Sequence, residues 1–336
     1  MFVNRDNYLK YLKIWLITLF FLIVSMVAVG GLTRLTDSGL SITAWELFSG
    51  ILPPLNNVEW NDYFSEYKKI PEYQNINYGM SLNEFKTIFY WEYAHRLLAR
   101  IVGLFSIIPL LFFSFKFKEN QNHLKKYYIF FILICFQGFL GWYMVSSGLV
   151  INNDVSHFRL AIHLSLALFL ICLIFWCFLD IIHINKYKKK YSELFLILIL
   201  FIIILQIILG AFLSGMDGGL IYNSWPLMND KFYPNDVSIM DYFTYEVFNN
   251  PSIIQFFHRT TAYVLIFLTI FLNYLFFKHK LDFTDILIFD FFLLLQIILG
   301  IITLISGAEI RYASLHQLGS ILVLCSYSLI LYKNTN

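Results

Sequence analysis

Apolar positions in this chain do not alternate with polar ones. They come in unbroken runs of about 20 residues, the length a helix needs to cross a bilayer. Eight runs are readable, near 14–34, 91–115, 127–148, 158–181, 193–214, 254–277, 285–306 and 311–332. Runs this long specify helices rather than barrel strands, because a segment in hydrocarbon must satisfy its own backbone donors and acceptors. The predicted fold is an all-α integral membrane protein with eight transmembrane helices.

Composition agrees with the pattern. The 336 residues are 59% hydrophobic and 14% charged, where soluble domains are about a quarter charged. The first run outlasts a signal-peptide core and lacks a small-residue cleavage site, so it reads as a retained helix. A net charge of +2 points to no nucleic-acid partner. Cys135, Cys172, Cys177 and Cys325 all fall inside apolar runs. With no loop cysteine pair, neither a disulfide nor a thiolate metal site is expected.

Basic residues separate by side. Arg5, Lys10 and Lys13 precede the first run, and Lys116, Lys118, Lys125 and Lys126 join the second to the third. Lys186, Lys188, Lys189 and Lys190 join the fourth to the fifth, Lys278 and Lys280 join the sixth to the seventh, and Lys333 follows the eighth. The positive-inside rule then makes both termini cytoplasmic and places the long loops 35–90 and 215–253 outside.

The chain also repeats itself. Gly30, Asp37, Gly39, Leu40 and Trp45 recur 180 residues later as Gly210, Asp217, Gly219, Leu220 and Trp225. His95-Arg96 recurs as His258-Arg259, His163 as His316, and the Gln137–Gly141 stretch as Gln296–Gly300. Two pseudo-symmetric four-helix bundles follow, 1–186 and 187–336. An even number of spans in each gives them the same orientation, a parallel repeat.

His95, His163, His258 and His316 each lie near the outer start of an even-numbered span. An intramembrane histidine is costly unless paired, and it marks a functional site by default. A helix-to-helix hydrogen bond would explain one such residue. Four in register favour ligation, and two per half on different helices suit axial ligation of heme iron. The residue four beyond each is small: Ala99, Ala167, Ala262 and Ser320. This leaves room on the same helix face, although small residues also serve ordinary helix packing.

Glu92 lies one turn before His95, whereas its repeat counterpart is Gln255. A carboxylate beside an iron ligand can accept a proton or stabilise a developing cation, and an amide cannot. A plain Glu92–Arg96 helical ion pair is the simpler alternative. Arg34, Arg96, Arg100, Arg159, Arg259 and Arg311 gather at the outer ends. Arginine forks bind carboxylates well, so Arg96 and Arg259 are candidate holders of heme propionates. Snorkelling to lipid headgroups is the alternative.

The segments GGLTRLTDSGLSITAW (30–45), FYWEYAHRLLARIVG (89–103), QGFLGWYMVSSGL (137–149), RLAIHLSLA (159–167), FFHRTTAY (256–263) and RYASLHQLGS (311–320) resemble those of the heme A synthase family. That resemblance covers nearly the whole chain. It implies successive hydroxylations of the C8 methyl of heme O to the formyl group of heme A, for cytochrome c oxidase assembly. It implies His95 and His163 as ligands of the substrate heme, Glu92 as the catalytic residue, and His258 and His316 as ligands of a resident heme b. It also implies heme sites toward the outer side of a bacterial plasma membrane. Partners on the same footing are a neighbouring heme O synthase and oxidase assembly factors, and a homo-oligomer is left open. No cysteine lies between 35 and 90, so the chain resembles the cysteine-free branch of mitochondrial and proteobacterial forms. The competing reading is a diheme b-type cytochrome that carries electrons to or from quinone.

Overall fold

The computed structural model describes residues 5–45, 49–117, 121–149, 154–188, 191–279 and 283–335. In chain order its α-helices are α1 (Arg5–Leu35), α2 (Asn57–Tyr67), α3 (Pro71–Asn75), α4 (Leu82–Lys116), α5 (Gln121–Leu124) and α6 (Tyr128–Val145). They continue as α7 (His157–Ile182), α8 (Glu193–Gly215), α9 (Pro251–His279), α10 (Thr284–Ile305) and α11 (Ile310–Asn334). All of these except α2, α3 and α5 are long and apolar enough to cross a membrane, eight in total among the described residues. The chain is a multi-pass membrane protein. Of the lysines assigned above to the connections, Lys118, Lys189, Lys190 and Lys280 lie outside the described residues.

Exposed faces of the spans are as apolar as the buried ones. On α4, Ile101, Leu104, Ile108, Leu111 and Phe115 are all exposed and recur at helical spacing. Leu194, Ile197, Phe201 and Ile204 do the same on α8. Such stripes suit acyl chains.

The backbone gathers into two compact units, Met1–Ile174 and Phe175–Asn336. In the first unit α4 begins at Leu82, not at the predicted 91. The reason is a reciprocal cap: Ser81 Oγ accepts from the Glu84 amide at 3.3 Å, and Glu84 Oε2 accepts from the Ser81 amide at 2.8 Å. A capped helix can run beyond its apolar stretch. The extension carries Phe85 and Phe89 into a core built with Leu40, Ile42, Trp60, Phe64, Tyr67, Ile70 and Tyr73. The first long loop is thus a packed cap on α4, with Phe64 stacked on Phe85 at 4.9 Å.

That cap encloses an acid that no cation pairs with among the described residues. Glu72 is buried; Tyr67 Oη donates to its Oε1 at 3.1 Å, and its Oε2 has no partner. Burial, reinforced by the carboxylates of Glu92, Asp154 and Asp37, pushes its pKa from 4.5 up to about 8, although the Tyr67 bond pulls the other way. The folded chain therefore binds more protons than the unfolded one between those values, and stability falls as pH rises through that window. Glu72→Gln should flatten the decline, on the order of 5 kcal/mol at its full extent. Melting curves of parent and variant from pH 5 to pH 9 would read it, and parallel curves would count against it.

In the second unit the segment after α7 is bound to the end of α11. The Tyr187 amide donates to the Lys333 carbonyl at 2.8 Å, and the Tyr191 amide to Asn334 Oδ1 at 2.8 Å. Buried Asp285 of α10 accepts from Tyr187 Oη at 2.7 Å and pairs with Lys333 at 2.7 Å.

Candidate functional site

The four histidines sit against the four glycines of the preceding spans. Gly30 of α1 meets His95 of α4, and Gly141 of α6 meets His163 of α7. Gly210 of α8 meets His258 of α9, and Gly300 of α10 meets His316 of α11. Glutamines on the odd spans hold the same neighbourhood. Gln137 Nε2 donates to the His163 carbonyl at 2.9 Å, and Gln296 Nε2 to the His316 carbonyl at 2.8 Å. Gln206 Nε2 lies 3.3 Å from His258 Nε2.

In the second unit the His258 and His316 rings stand 6.3 Å apart, centroid to centroid, with planes at 82°. Metal–imidazole bonds run about 2 Å, so two rings flanking one ion stand on the order of 6 Å apart. His316 Nδ1 lies 3.1 Å from the Gln296 carbonyl. A proton donated there leaves Nε2 free as a ligand, the usual way a neighbouring group fixes a ligating tautomer. Nδ1 of His163 and of His258 are buried without a hydrogen-bond partner, a cost that a metal bound at that nitrogen would offset and one bound at Nε2 would not. No three His, Cys, Asp or Glu side chains converge among the described residues. The donor set is paired imidazoles, which fits a porphyrin iron held from both faces better than a zinc site.

Glu92 is buried one turn before His95. Its Oε2 accepts from Ser41 Oγ and from the Ile42 amide, both at 2.7 Å. Its Oε1 accepts from Arg96 Nε at 2.9 Å and from Arg96 Nη2 at 2.7 Å. Arg96 also grips the loop, giving Nη1 to the Ala44 carbonyl at 2.8 Å and Nη2 to the Ile42 carbonyl at 2.7 Å. Trp45 lies over the guanidinium at 5.5 Å. The site can therefore hold a fixed carboxylate beside His95.

The second unit repeats the grip with reversed polarity. Arg259 donates to the Ser224 carbonyl at 3.0 Å and to the Tyr222 carbonyl at 3.0 Å, the counterparts of Ala44 and Ile42. Gln255, in place of Glu92, donates to the carbonyls of Gly218 at 3.0 Å and Tyr222 at 3.2 Å. Where the first unit presents only donors to its carboxylate, the second presents two carbonyl acceptors to the Gln255 NH2, while the Gln255 oxygen accepts from Arg259 Nη2 at 3.4 Å. Both turns leave their helices through a left-handed aspartate, Asp37 at φ 48° and Asp217 at φ 50°, a conformation Asp tolerates better than most residues.

The structure thus directs most hydrogen bonds of Arg259 to loop carbonyls and splits those of Arg96 between Glu92 and the carbonyls of Ile42 and Ala44. Arg34 pairs with Asp37 at 2.7 Å, Arg159 caps the Tyr143 carbonyl at 2.6 Å, and Arg311 bonds Glu309 at 2.6 Å. Ser41 and the Ile42 amide are site groups that sequence reasoning missed. The available signal was Ile221 at the repeat position of Ser41: a hydroxyl stands only where the acid stands.

Comparison with known proteins bears on the whole chain. A family model described as cytochrome oxidase assembly protein matches residues 13–328. The chain is 72% identical over 336 residues to the heme A synthase of Pelagibacter ubique (strain HTCC1062), covering 100% of both. It is 43% identical to that of Rickettsia bellii (strain OSU 85-389), covering 94% of this chain and 96% of the relative. It is 40% identical to that of Agrobacterium fabrum (strain C58 / ATCC 33970), covering 95% and 88%.

Proposed function

Because this chain belongs to the cytochrome oxidase assembly protein family, in which its relatives are heme A synthases, we propose that it converts heme O to heme A. The C8 methyl group of the substrate is hydroxylated twice, and loss of water leaves the formyl group. The observation that carries this reading is the asymmetry between the units. Glu92 is a buried carboxylate beside His95, and Gln255 is a neutral amide beside His258. A half that only relays electrons has no need of a base.

In this reading His95 and His163 hold the substrate's iron from its two faces. Glu92, immobilised by Ser41, Ile42 and Arg96, presents a fixed negative charge. It accepts a proton or stabilises positive charge as the methyl group is oxidised. His258 and His316 hold heme b, which supplies one-electron transfer when bound. Arg96 and Arg259 fasten the loop of each unit over its site, and their remaining N–H capacity would serve propionates. The protein resides in a bacterial plasma membrane with both termini cytoplasmic and the heme sites toward the outer face. Heme O synthase and oxidase assembly factors are its expected neighbours.

The test is the pigment bound by the protein co-expressed with a heme O synthase. Extraction and chromatography should yield heme B together with heme A or its alcohol precursor. Heme B alone, with no modified heme, would leave the electron-carrying cytochrome.

A further inference from the structure

A Cβ added to any of the four span glycines would press on an imidazole. At Gly300 it would lie 2.8 Å from His316 Cε1, and at Gly30 3.0 Å from His95 Nε2. At Gly141 it would lie 3.1 Å from His163 Cε1, and at Gly210 3.2 Å from His258 Cε1. Comfortable carbon contacts are about 3.5–4.0 Å. We propose that Gly30, Gly141, Gly210 and Gly300 are positioning residues, each a seat in which one ligand imidazole rests and which sets where that ring presents its nitrogen. The proposal rests on the heme-ligand reading above.

Backbone strain does not call for glycine here, since all four lie inside helices, where alanine is the better helix former. Close approach of two backbones does not call for it either. The three nearest atoms at Gly30, Gly141 and Gly300 are all imidazole atoms, and among the described residues Gly210 meets only His258 within 4 Å. The seats are also selective. Gly103 of α4 and Gly138 of α6 are helical glycines with nothing within 4 Å of an added Cβ. A seated ring has little freedom to retreat. His316 is held at Nδ1 by the Gln296 carbonyl at 3.1 Å, and its backbone carbonyl by Gln296 Nε2 at 2.8 Å. An alanine methyl would have to turn the ring.

The experiment is a cycle of Gly300→Ala and His316→Ala in the full chain, with Gly103→Ala as control. Melting temperature and the visible and electron paramagnetic resonance spectra of the purified protein are the readouts. The seat predicts that G300A lowers the melting temperature in the parent and not in the H316A background, where the obstructing ring is gone. It also predicts loss of the low-spin bis-imidazole signal of the second-unit heme in G300A and a parental spectrum in G103A. An equal melting cost of G300A in both backgrounds, or a parental low-spin signal in G300A, would overturn it. The heme reading fails separately, by an H316A protein that keeps the parental spectrum. The melting cycle, which needs no heme, still decides whether the glycine seats the ring.

Discussion

Glu92→Gln should stop heme A formation, with heme O accumulating on the protein and the second-unit heme unchanged. General acid–base groups contribute about 10²–10⁴-fold, and a loss in that range is expected in heme A recovered by chromatography. The glutamine variant is preferable to alanine for a physical reason. Glu92 serves both the Ser41 hydroxyl and the Ile42 amide at 2.7 Å and pairs with Arg96. Both side chains of that pair are sequestered, 4% and 13% exposed. Removing one partner of a buried pair costs about 3–5 kcal/mol, so an alanine variant confounds misfolding with lost chemistry. An amide oxygen can still accept from Ser41 and Ile42, so the variant keeps two of the bonds; its NH2 group then faces the Arg96 donors, and the charge and the Arg96 pair are what is lost. The second-unit heme spectrum reports whether the fold survives. Heme A yields within tenfold of the parent would mean that the carboxylate takes no part in the chemistry.

His258→Ala and His316→Ala should each remove the resident heme b and, with it, turnover, while heme O remains bound in the first unit. The two rings stand 6.3 Å apart, edge to face, and on the proposed ligation losing either would leave the iron with a single protein ligand. The expected readout is loss of heme B from the extracted pigment beside retained heme O. Retention of heme B in both variants would remove these residues from the ligand set. Loss of heme B in His95→Ala with no loss in His258→Ala would reverse the assignment of the two units.

How much of this was legible from residues alone varied with the physics. Eight spans could be read because hydrocarbon demands long apolar helices whatever the sequence detail. The start of α4 could not, because Ser81 and Glu84 extend the helix by capping, beyond where hydropathy changes. The histidines were visible as costly residues in register. Their glycine seats were not, because the repeat shows Gly30 and Gly210 as equivalent without showing what each faces. Glu92 stood out against Gln255, yet its hold by Ser41 depends on a contact between residues 51 positions apart. Glu72 carried no signal at all, since an acid in a polar loop is ordinarily solvated. Only its burial beside Tyr67 made it unusual.

The reversed bonding of Glu92 and Gln255 has an evolutionary reading. If one ancestral half was duplicated, the copies did not diverge here by a single interchangeable residue. A glutamate at 255 would aim its lone pairs at the carbonyl oxygens of Gly218 and Tyr222, and no hydroxyl stands at Ile221 to meet it. Of the groups that surround it among the described residues, Arg259 alone would donate to such an acid. The difference between the halves is thus written in the backbone of the turn as well as in one side chain.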